Sequence, residues 1–434
     1  MRRQKIEKIV SVKINKLVHG GQGIGILDNG KKCFVWGALP EELVTARVIK
    51  NKKDWCEAIA IEVLEPSPDR VEPLESEIYL ATSPWQIIDY IKEAYYKQQI
   101  LAECFEREGI DVDWQEFYQS DQEFNYRNKM EYNFWFHNDT KLVDLALHNR
   151  GSRQKVALKG SALASDAINK AGKQLIEFIN LHKIEARDLK SVIIRSSLDG
   201  QVGLSLFVVN KELVQKFSSF ENNFACFEIL LANPKSPASV SVKTLYKSKR
   251  EYLVDKLLGN EYKYSTRSFF QVNIPVYEKV LTEIANIVQS SNVKNIIDMY
   301  SGVGSIGLSV VGDKQNLTMI ETSEESTKQA KLNIGDRNNC EVVTATAESV
   351  LEYLQGDEVV ILDPPRAGLH KNVTSQLLDK KPPQIIYLSC NPSTQARDIK
   401  LLTDGGYKIK SAKGYNFFPR TPHIESLIIL DAVE

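Results

Sequence analysis

The sequence predicts an α/β protein with three parts: an OB-like β-barrel at the start, an α+β segment in the middle, and a doubly wound, largely parallel sheet at the end. Three observations carry this. Residues 256–434 alternate helical stretches with short apolar runs, the pattern of strands buried on both faces by crossover helices. Residues 9–64 hold five short strands broken by glycine turns, which suits a small barrel. At 434 residues the chain exceeds one ordinary core, and it divides into segments 1–64, 65–255 and 256–434.

In the barrel, Val10-Ser11-Val12-Lys13-Ile14 alternates and Gly20-Gly21-Gln22-Gly23-Ile24-Gly25 breaks the chain. Phe34-Val35-Trp36, Leu43–Val48 and Ala58–Val63 supply the later strands. Residues 1–55 carry 12 Lys/Arg against 5 Asp/Glu, and the remainder carries 43 against 51. A basic module on a mildly acidic body points to a tether for a polyanion; a solvated lysine-rich face accounts for the charge equally well.

In the middle segment, Ile87, Ile88, Ile91, Ala94, Tyr95, Ile100, Leu101, Cys104 and Phe105 follow helical spacing. They predict an amphipathic helix over 85–108 with a face that could pack on the last segment. Tyr126–Phe134, Val192–Arg195 and Val202–Val209 alternate and predict an antiparallel sheet. Arg127, Lys129, Arg150, Arg153 and Lys155 are candidates to hold phosphates; singly, each also reads as an ordinary surface cation. In the last segment, a helix over Tyr277–Val288 precedes an apolar strand, Val293–Met299, and Ser305–Val311 opens a further helix. Leu317–Ile320, Val359–Leu362, Ile385–Leu388 and Leu427–Leu430 are further buried strands.

Several classes are excluded. No run of about 18 apolar residues exists to span a membrane, and Met1–Lys8 lacks the apolar stretch of a secretory signal. Six scattered cysteines without a Cys-x-x-Cys pair argue against a disulfide framework or a local zinc site. A cytoplasmic monomer without metal or membrane partner is expected.

The chemistry concentrates near strand ends. Asp298-Met299-Tyr300-Ser301-Gly302-Val303-Gly304-Ser305-Ile306-Gly307 follows a strand and begins a helix, and Glu321 ends the next strand. Glycines there let backbone approach a ligand, and the carboxylate can accept both ribose hydroxyls of a nucleoside. Gly-x-Gly-x-x-Gly with a downstream acid is also the NAD fingerprint. Asp298, placed to meet a cationic donor, and Asp363-Pro364-Pro365 at a later strand end favour S-adenosylmethionine over NAD. Cys390 then acquires a purpose. Carbon-5 of a pyrimidine is a poor nucleophile until a thiolate adds to carbon-6, after which a base must remove the carbon-5 proton. Cys390 and Glu425, which precedes the final apolar strand, are the candidate pair.

Two sets of motifs carry a resemblance. Gly20–Gly25, Val35-x-Gly37-Ala38-Leu39-Pro40 and Pro66-Ser67-Pro68-Asp69-Arg70 resemble a TRAM domain, an RNA-binding barrel. Phe269-Phe270-Gln271-Val272-Asn273, the glycine loop, Asp363-Pro364-Pro365-Arg366-x-Gly368, Leu388-Ser389-Cys390-Asn391-Pro392 and His423-Ile424-Glu425 resemble the RNA 5-methyluridine (uracil-5-) methyltransferases, in their TRAM-bearing 23S rRNA branch. The resemblance implies a Rossmann-like class I methyltransferase domain, with Cys390 as nucleophile and Glu425 as base. It implies Gln271, Tyr300, Glu321 and Asp363 as S-adenosylmethionine contacts, and RNA as partner, 23S rRNA first and the tRNA T-loop second. Arg127 and Lys129 are the expected RNA contacts. An RNA-binding protein with an inactive site and a Rossmann oxidoreductase are the readings of other classes.

Three departures stand out. Many relatives bind a [4Fe–4S] cluster through cysteines, which such a cluster requires. Here Leu74, Leu80 and Ser83, and Gly160-Ser161-Ala162-Leu163 farther on, occupy those places, so no cluster is expected and ordinary apolar packing is expected instead. Ser305 stands where many relatives have Asn, and Thr346 where an acid often meets adenine.

Overall fold

Alternation along the first strands closes the barrel. Ile9–Leu17, Gly23–Ile26, Lys32–Trp36, Leu43–Asn51 and Trp55–Glu65 form it. Every second residue points inward: Val12, Ile14, Val35, Val44, Ala46 and Ala58 are at most 2% exposed. The computed structural model describes residues 8–151, 154–236 and 239–433; the first seven residues and Arg153 lie outside them. Glu42 is buried and accepts from Arg70 Nη2 at 2.8 Å and from the amides of Leu39 (2.7 Å) and Ser67 (3.2 Å). The segment leaving the barrel is thus latched across its base. Counted to Glu65, the barrel adds Glu57, Glu62 and Glu65, which leaves 12 Lys/Arg against 8 Asp/Glu. Lys13 pairs with Glu65 at 2.8 Å and Lys50 with Glu57 at 3.1 Å, so the positive excess is smaller than the first 55 residues suggest.

The middle of the chain builds a seven-stranded sheet in the order Ser241–Lys247, Cys226–Ala232, Val202–Val208, Leu189–Ser196, Lys129–Phe136, Val143–His148, Lys155–Leu158. The strands anticipated from alternation pair antiparallel, but Cys226–Ala232 joins Val202–Val208 in parallel. The helix Asp166–Leu181 covers one face, with Ile168, Leu175 and Ile179 buried among Tyr132, Val192 and Leu206.

The expected helix over 85–108 runs over Tyr90–Arg107 instead. Asp89 ends the preceding turns by accepting from the amides of Ile91 and Lys92, an N-cap. Its apolar stripe also differs from the expected one. Ile91 and Tyr95 are exposed, whereas Glu93 and Lys97 are buried beside Tyr96, Ile100, Leu101 and Phe105. The lower half shares a core with Tyr387, Ile399, Ile428 and Leu430; each such side chain contributes about 1.5–3 kcal/mol by burial.

The last sheet has the order Cys340–Thr344, Asn316–Glu321, Asn295–Met299, Glu358–Leu362, Gln384–Ser389, Glu425–Ala432, Tyr407–Tyr415. The first five strands are parallel, and Glu425–Ala432 runs antiparallel to both neighbours. The helix Ile274–Ser290 packs on one face through Val280, Leu281 and Ile284. After the glycine loop, helix begins at Gly307 rather than Ser305 and ends at Val310. The strand order reverses between Asn295–Met299 and Glu358–Leu362, and such a switch point opens a crevice at the carboxyl ends of the strands.

Candidate active site

A cavity of about 790 Å³ occupies that crevice, lined by Gln271, Tyr300, Glu321, Asp363, Cys390, Glu425, Arg127 and Lys129 among others. All eight site residues expected from the sequence line it, although they are spread from Arg127 to Glu425 along the chain.

The glycine loop forms one end. Tyr300 follows its strand with φ +68°, a left-handed conformation that a side chain adopts at a cost of about 1–3 kcal/mol and that clusters at functional sites. Gly304 follows at φ +83°, and a Cβ there would come within 2.7 Å of Met319 Sδ; only glycine lets the loop pack so closely. Glu321 accepts from the amides of Gly302 (2.9 Å) and Ser323 (2.7 Å), which aim its carboxylate. Ile320, Ala345 and Ala347 make an apolar wall beside it, with Thr346 among them. Asp298 does not face this cavity. It is fully buried behind the loop, where one oxygen accepts from the Gly307 amide at 2.8 Å. It shapes the loop, because the strand's inward face turns it away from the ligand side. Ser305 likewise lies behind, against Tyr277 Oη at 2.8 Å.

Gln271 is held by residues the sequence reading missed. Arg195, fully buried in the middle sheet, donates to the carbonyls of Ser265 (3.3 Å), Ser268 (2.6 Å) and Phe270 (2.6 Å). It also lies over the rings of Tyr264 and Phe270, which stack at 4.2 Å. Asn128 Nδ2 donates to Gln271 O at 3.0 Å. The signal was available: an arginine inside the apolar run Val192-Ile193-Ile194-Arg195 is unusual, and buried charge needs partners.

Cys390 and Glu425 meet through strand register. Ser389 pairs with Ser426 in the antiparallel ladder, so the next step sets Cys390 opposite Glu425. Burial, with the carboxyls of Glu425 and Asp363 adding to it, pushes the Cys390 thiol up to about 12. The Arg366 guanidinium opposes this by charge and by a hydrogen bond. Burial and Asp363 also hold the Glu425 carboxyl well above the usual range, and its Oε2 meets no donor. Asp363 is raised to about 7 by burial. His423, beside them, is lowered to about 3 by burial and by Arg366, Arg150, Lys97 and Arg127, and so stays neutral.

The opposite wall is basic. Arg127 Nε donates to Lys129 O at 3.0 Å, and Lys129 is lowered to about 7 by burial and by Arg195. Arg150 is outside the cavity, its guanidinium 5.1 Å over the Trp36 ring of the barrel. Lys155 Nζ donates to Phe134 O at 3.4 Å. The corner of Leu74, Leu80 and Ser83 is polar rather than apolar. Glu75 accepts from Thr82 Oγ1 (2.6 Å), Gln86 Nε2 (2.8 Å) and the Ala162 amide (2.8 Å), while Leu74 is 69% exposed. Hydrogen bonds to the half-buried Glu75 carboxylate organise this corner, while Leu163, Ile78 and Tyr79 beside it pack into the apolar cores. Among the described residues, no group of three or more His, Cys, Asp or Glu is arranged to hold a metal.

Fold and cavity define a Rossmann-like enzyme with a thiol and a carboxylate facing each other at a nucleoside-sized cleft. The family model of tRNA (uracil-5-)-methyltransferases matches residues 89–433, and that of the TRAM domain residues 3–61. An uncharacterized RNA methyltransferase of Aquifex aeolicus is 31% identical, covering 98% of this chain and 99% of its own. One of Caldanaerobacter subterraneus is 29% identical over the same shares. The crystal structure of Pyrococcus abyssi tRNA (uracil-54, C5)-methyltransferase in complex with S-adenosyl-L-homocysteine is similar in fold, with a TM-score of 0.78 and 24% identity over 97% of this chain and 100% of that one. The chain belongs to the tRNA (uracil-5-)-methyltransferase family and is an RNA (uracil-5-)-methyltransferase with an N-terminal TRAM domain. Among the described residues, no helix is long and apolar enough to cross a membrane.

Proposed function

We propose that this enzyme methylates carbon-5 of a uridine in 23S rRNA, using S-adenosylmethionine and a covalent bond from Cys390 to carbon-6. The observation that carries this reading is the register that sets Cys390 opposite Glu425 in the wall of a cavity that Glu321 also lines. The cavity residues fit the donor: the aimed Glu321 carboxylate suits a ribose diol, and Ile320, Ala345 and Ala347 suit an adenine face. Gln271, Tyr300 and Asp363 complete its surroundings. When bound, the donor supplies an electrophilic methyl on a positively charged sulfur.

The target base is flipped from its stack, since carbon-6 is otherwise covered. Arg127 and Lys129 hold the flanking phosphates. At rest Cys390 is a neutral thiol; Arg366 is the chain's own contribution to forming the thiolate. The thiol proton leaves to solvent as the sulfur adds to carbon-6. The electron pair of the carbon-5–carbon-6 double bond moves to carbon-5, which takes up the methyl as the bond to the donor sulfur breaks and leaves its electrons on that sulfur. Glu425, a stronger base for its raised pKa once its own proton has left, then removes the carbon-5 proton. The C–H pair re-forms the double bond and the Cys390 sulfur departs as thiolate. Work in a reducing cytoplasm is consistent with six unpaired cysteines, and a monomer is the form proposed.

A second reading is the same reaction on a tRNA T-loop uridine. It is favoured by the whole-length likeness to a tRNA enzyme, barrel included, which makes the barrel no discriminator between the two RNAs. Mapping 5-methyluridine in both RNAs from a deletion strain separates them. For the chemistry, Cys390→Ala is expected to abolish turnover and leave donor affinity intact, and Glu425→Gln to accumulate a methylated protein–RNA adduct on a denaturing gel. Residual turnover without Cys390 would exclude the covalent route, and absence of the adduct would assign the proton to another base.

A further inference from the structure

The loop that delivers Glu425 is held by a polar cluster that the chemistry above does not use. Residues 416–424 join Tyr407–Tyr415 to Glu425–Ala432, with Tyr415 paired to Glu425. So long a hairpin connection keeps one shape only if its backbone groups find partners. Four successive carbonyls do, each from a different part of the chain. Phe417 O accepts from Asn273 Nδ2 (3.1 Å), Phe418 O from Lys97 Nζ (3.1 Å), Pro419 O from Tyr126 Oη (3.0 Å) and Arg420 O from the Trp85 amide (3.1 Å).

Glu93 and Lys97 are the centre of this grip. The Arg420 amide donates to both Glu93 oxygens at 3.0 Å. The Asn416 side chain accepts from Lys97 at 2.6 Å and donates to Glu93 at 2.9 Å. The two are paired with each other at 2.8 Å and have no exposure. Arg420, at φ +63°, donates onward to Ile88 O and Glu123. Stability is a weak reason for such a pair, because desolvation consumes most of the attraction and apolar replacements are often as stable. Direction is the stronger one: the pair pins the turn from which Phe418, His423 and Glu425 reach the cavity.

We infer that Glu93 and Lys97 are positioning residues for Glu425, neither of them lining the cavity. This rests on the reading of Glu425 as the carbon-5 base. The step they serve is the elimination, in which Glu425 takes the carbon-5 proton, the double bond re-forms and the carbon-6–sulfur bond breaks.

Single-turnover reactions of the full chain test it, with Lys97→Met and with the double variant Glu93→Leu/Lys97→Met. The double variant replaces the pair by apolar groups and keeps the question open to test should the single one fail to fold. Methyl transfer into RNA is expected to persist while adduct release slows about 100-fold, so that a covalent band builds up as in Glu425→Gln. Normal release from a folded variant would overturn the inference. So would equal slowing of transfer and release without a band, the mark of a merely structural defect. A Glu425→Gln enzyme without the band means the reading of the base has itself failed, and the inference falls with it.

Discussion

The carboxyl of Asp298 is buried behind the glycine loop, with one oxygen on the Gly307 amide and the other meeting no donor. Burial raises it to about 8, against about 3.9 in an unfolded chain. Below about pH 4 both states hold the proton. Between about 4 and 8 the unfolded chain releases it while the folded site keeps it, so stability falls as the pH rises through this window. Asparagine is the shape of the protonated form. Asp298→Asn is therefore expected to gain on the parent as the pH rises from 5 to 8, by up to about 1.4 kcal/mol per pH unit. Denaturant unfolding at several pH values checks this; an advantage independent of pH would place the charge cost elsewhere. Cys390 answers to the same physics, since a dry site beside two carboxyls is a poor place for a resting thiolate.

Single elements carry charges inward where a local reading expects apolar faces. On the helix Tyr90–Arg107, Glu93 and Lys97 are buried while Ile91 is 80% exposed. On the strand Leu189–Ser196, Arg195 reaches across to the segment before Gln271. Without Arg195 the carbonyls of Ser268 and Phe270 lose this partner, at a cost of about 1–3 kcal/mol each, while Ser265 O keeps the Ser268 hydroxyl at 3.1 Å. Arg195→Met is expected to loosen residues 265–271 and lower S-adenosylhomocysteine affinity at least tenfold, about 1.4 kcal/mol. Calorimetric titration measures it, and undiminished affinity would mean that the Tyr264–Phe270 stack suffices to hold the segment.

The three parts of the molecule close on one another around the site. The barrel is seated by Trp85 Nε1 donating to Gly21 O at 3.0 Å and by Gly21 lying so close to Pro422 that a Cβ would come within 2.3 Å. Its Trp36 receives Arg150 from the turn between Val143–His148 and Lys155–Leu158, and the middle part of the chain in turn grips the Gln271 segment through Asn128 and Arg195. A barrel held this way presents its exposed lysines at a fixed place relative to the cavity. Lys52→Glu with Lys53→Glu is expected to weaken RNA binding and lower the slope of log affinity on log salt by about one per lost phosphate contact, with donor affinity unchanged. Titrations at several salt concentrations decide it; an unaltered slope would remove this edge of the barrel from the RNA path.

Local patterns made much of this legible. Strand periodicity and glycine turns are properties of neighbouring residues, so the barrel and the doubly wound sheet could be read directly. The glycine loop, Asp363-Pro364-Pro365 and Ser389-Cys390-Asn391-Pro392 sit at strand ends, and strand ends in such a sheet converge on one crevice. Pairing across the chain was not legible in the same way. Only the antiparallel insertion of the last-but-one strand in the sheet order brings Glu425 to Cys390. Only tertiary contacts over some three hundred residues turn Glu93 and Lys97 inward to Asn416 and Arg420. The sequence by itself singled out the residues proposed to carry the chemistry, because reactive types and turn types are local. The tertiary structure decided which charges are buried and what they hold, because a buried charge is tolerable only where distant parts of the chain supply its partners.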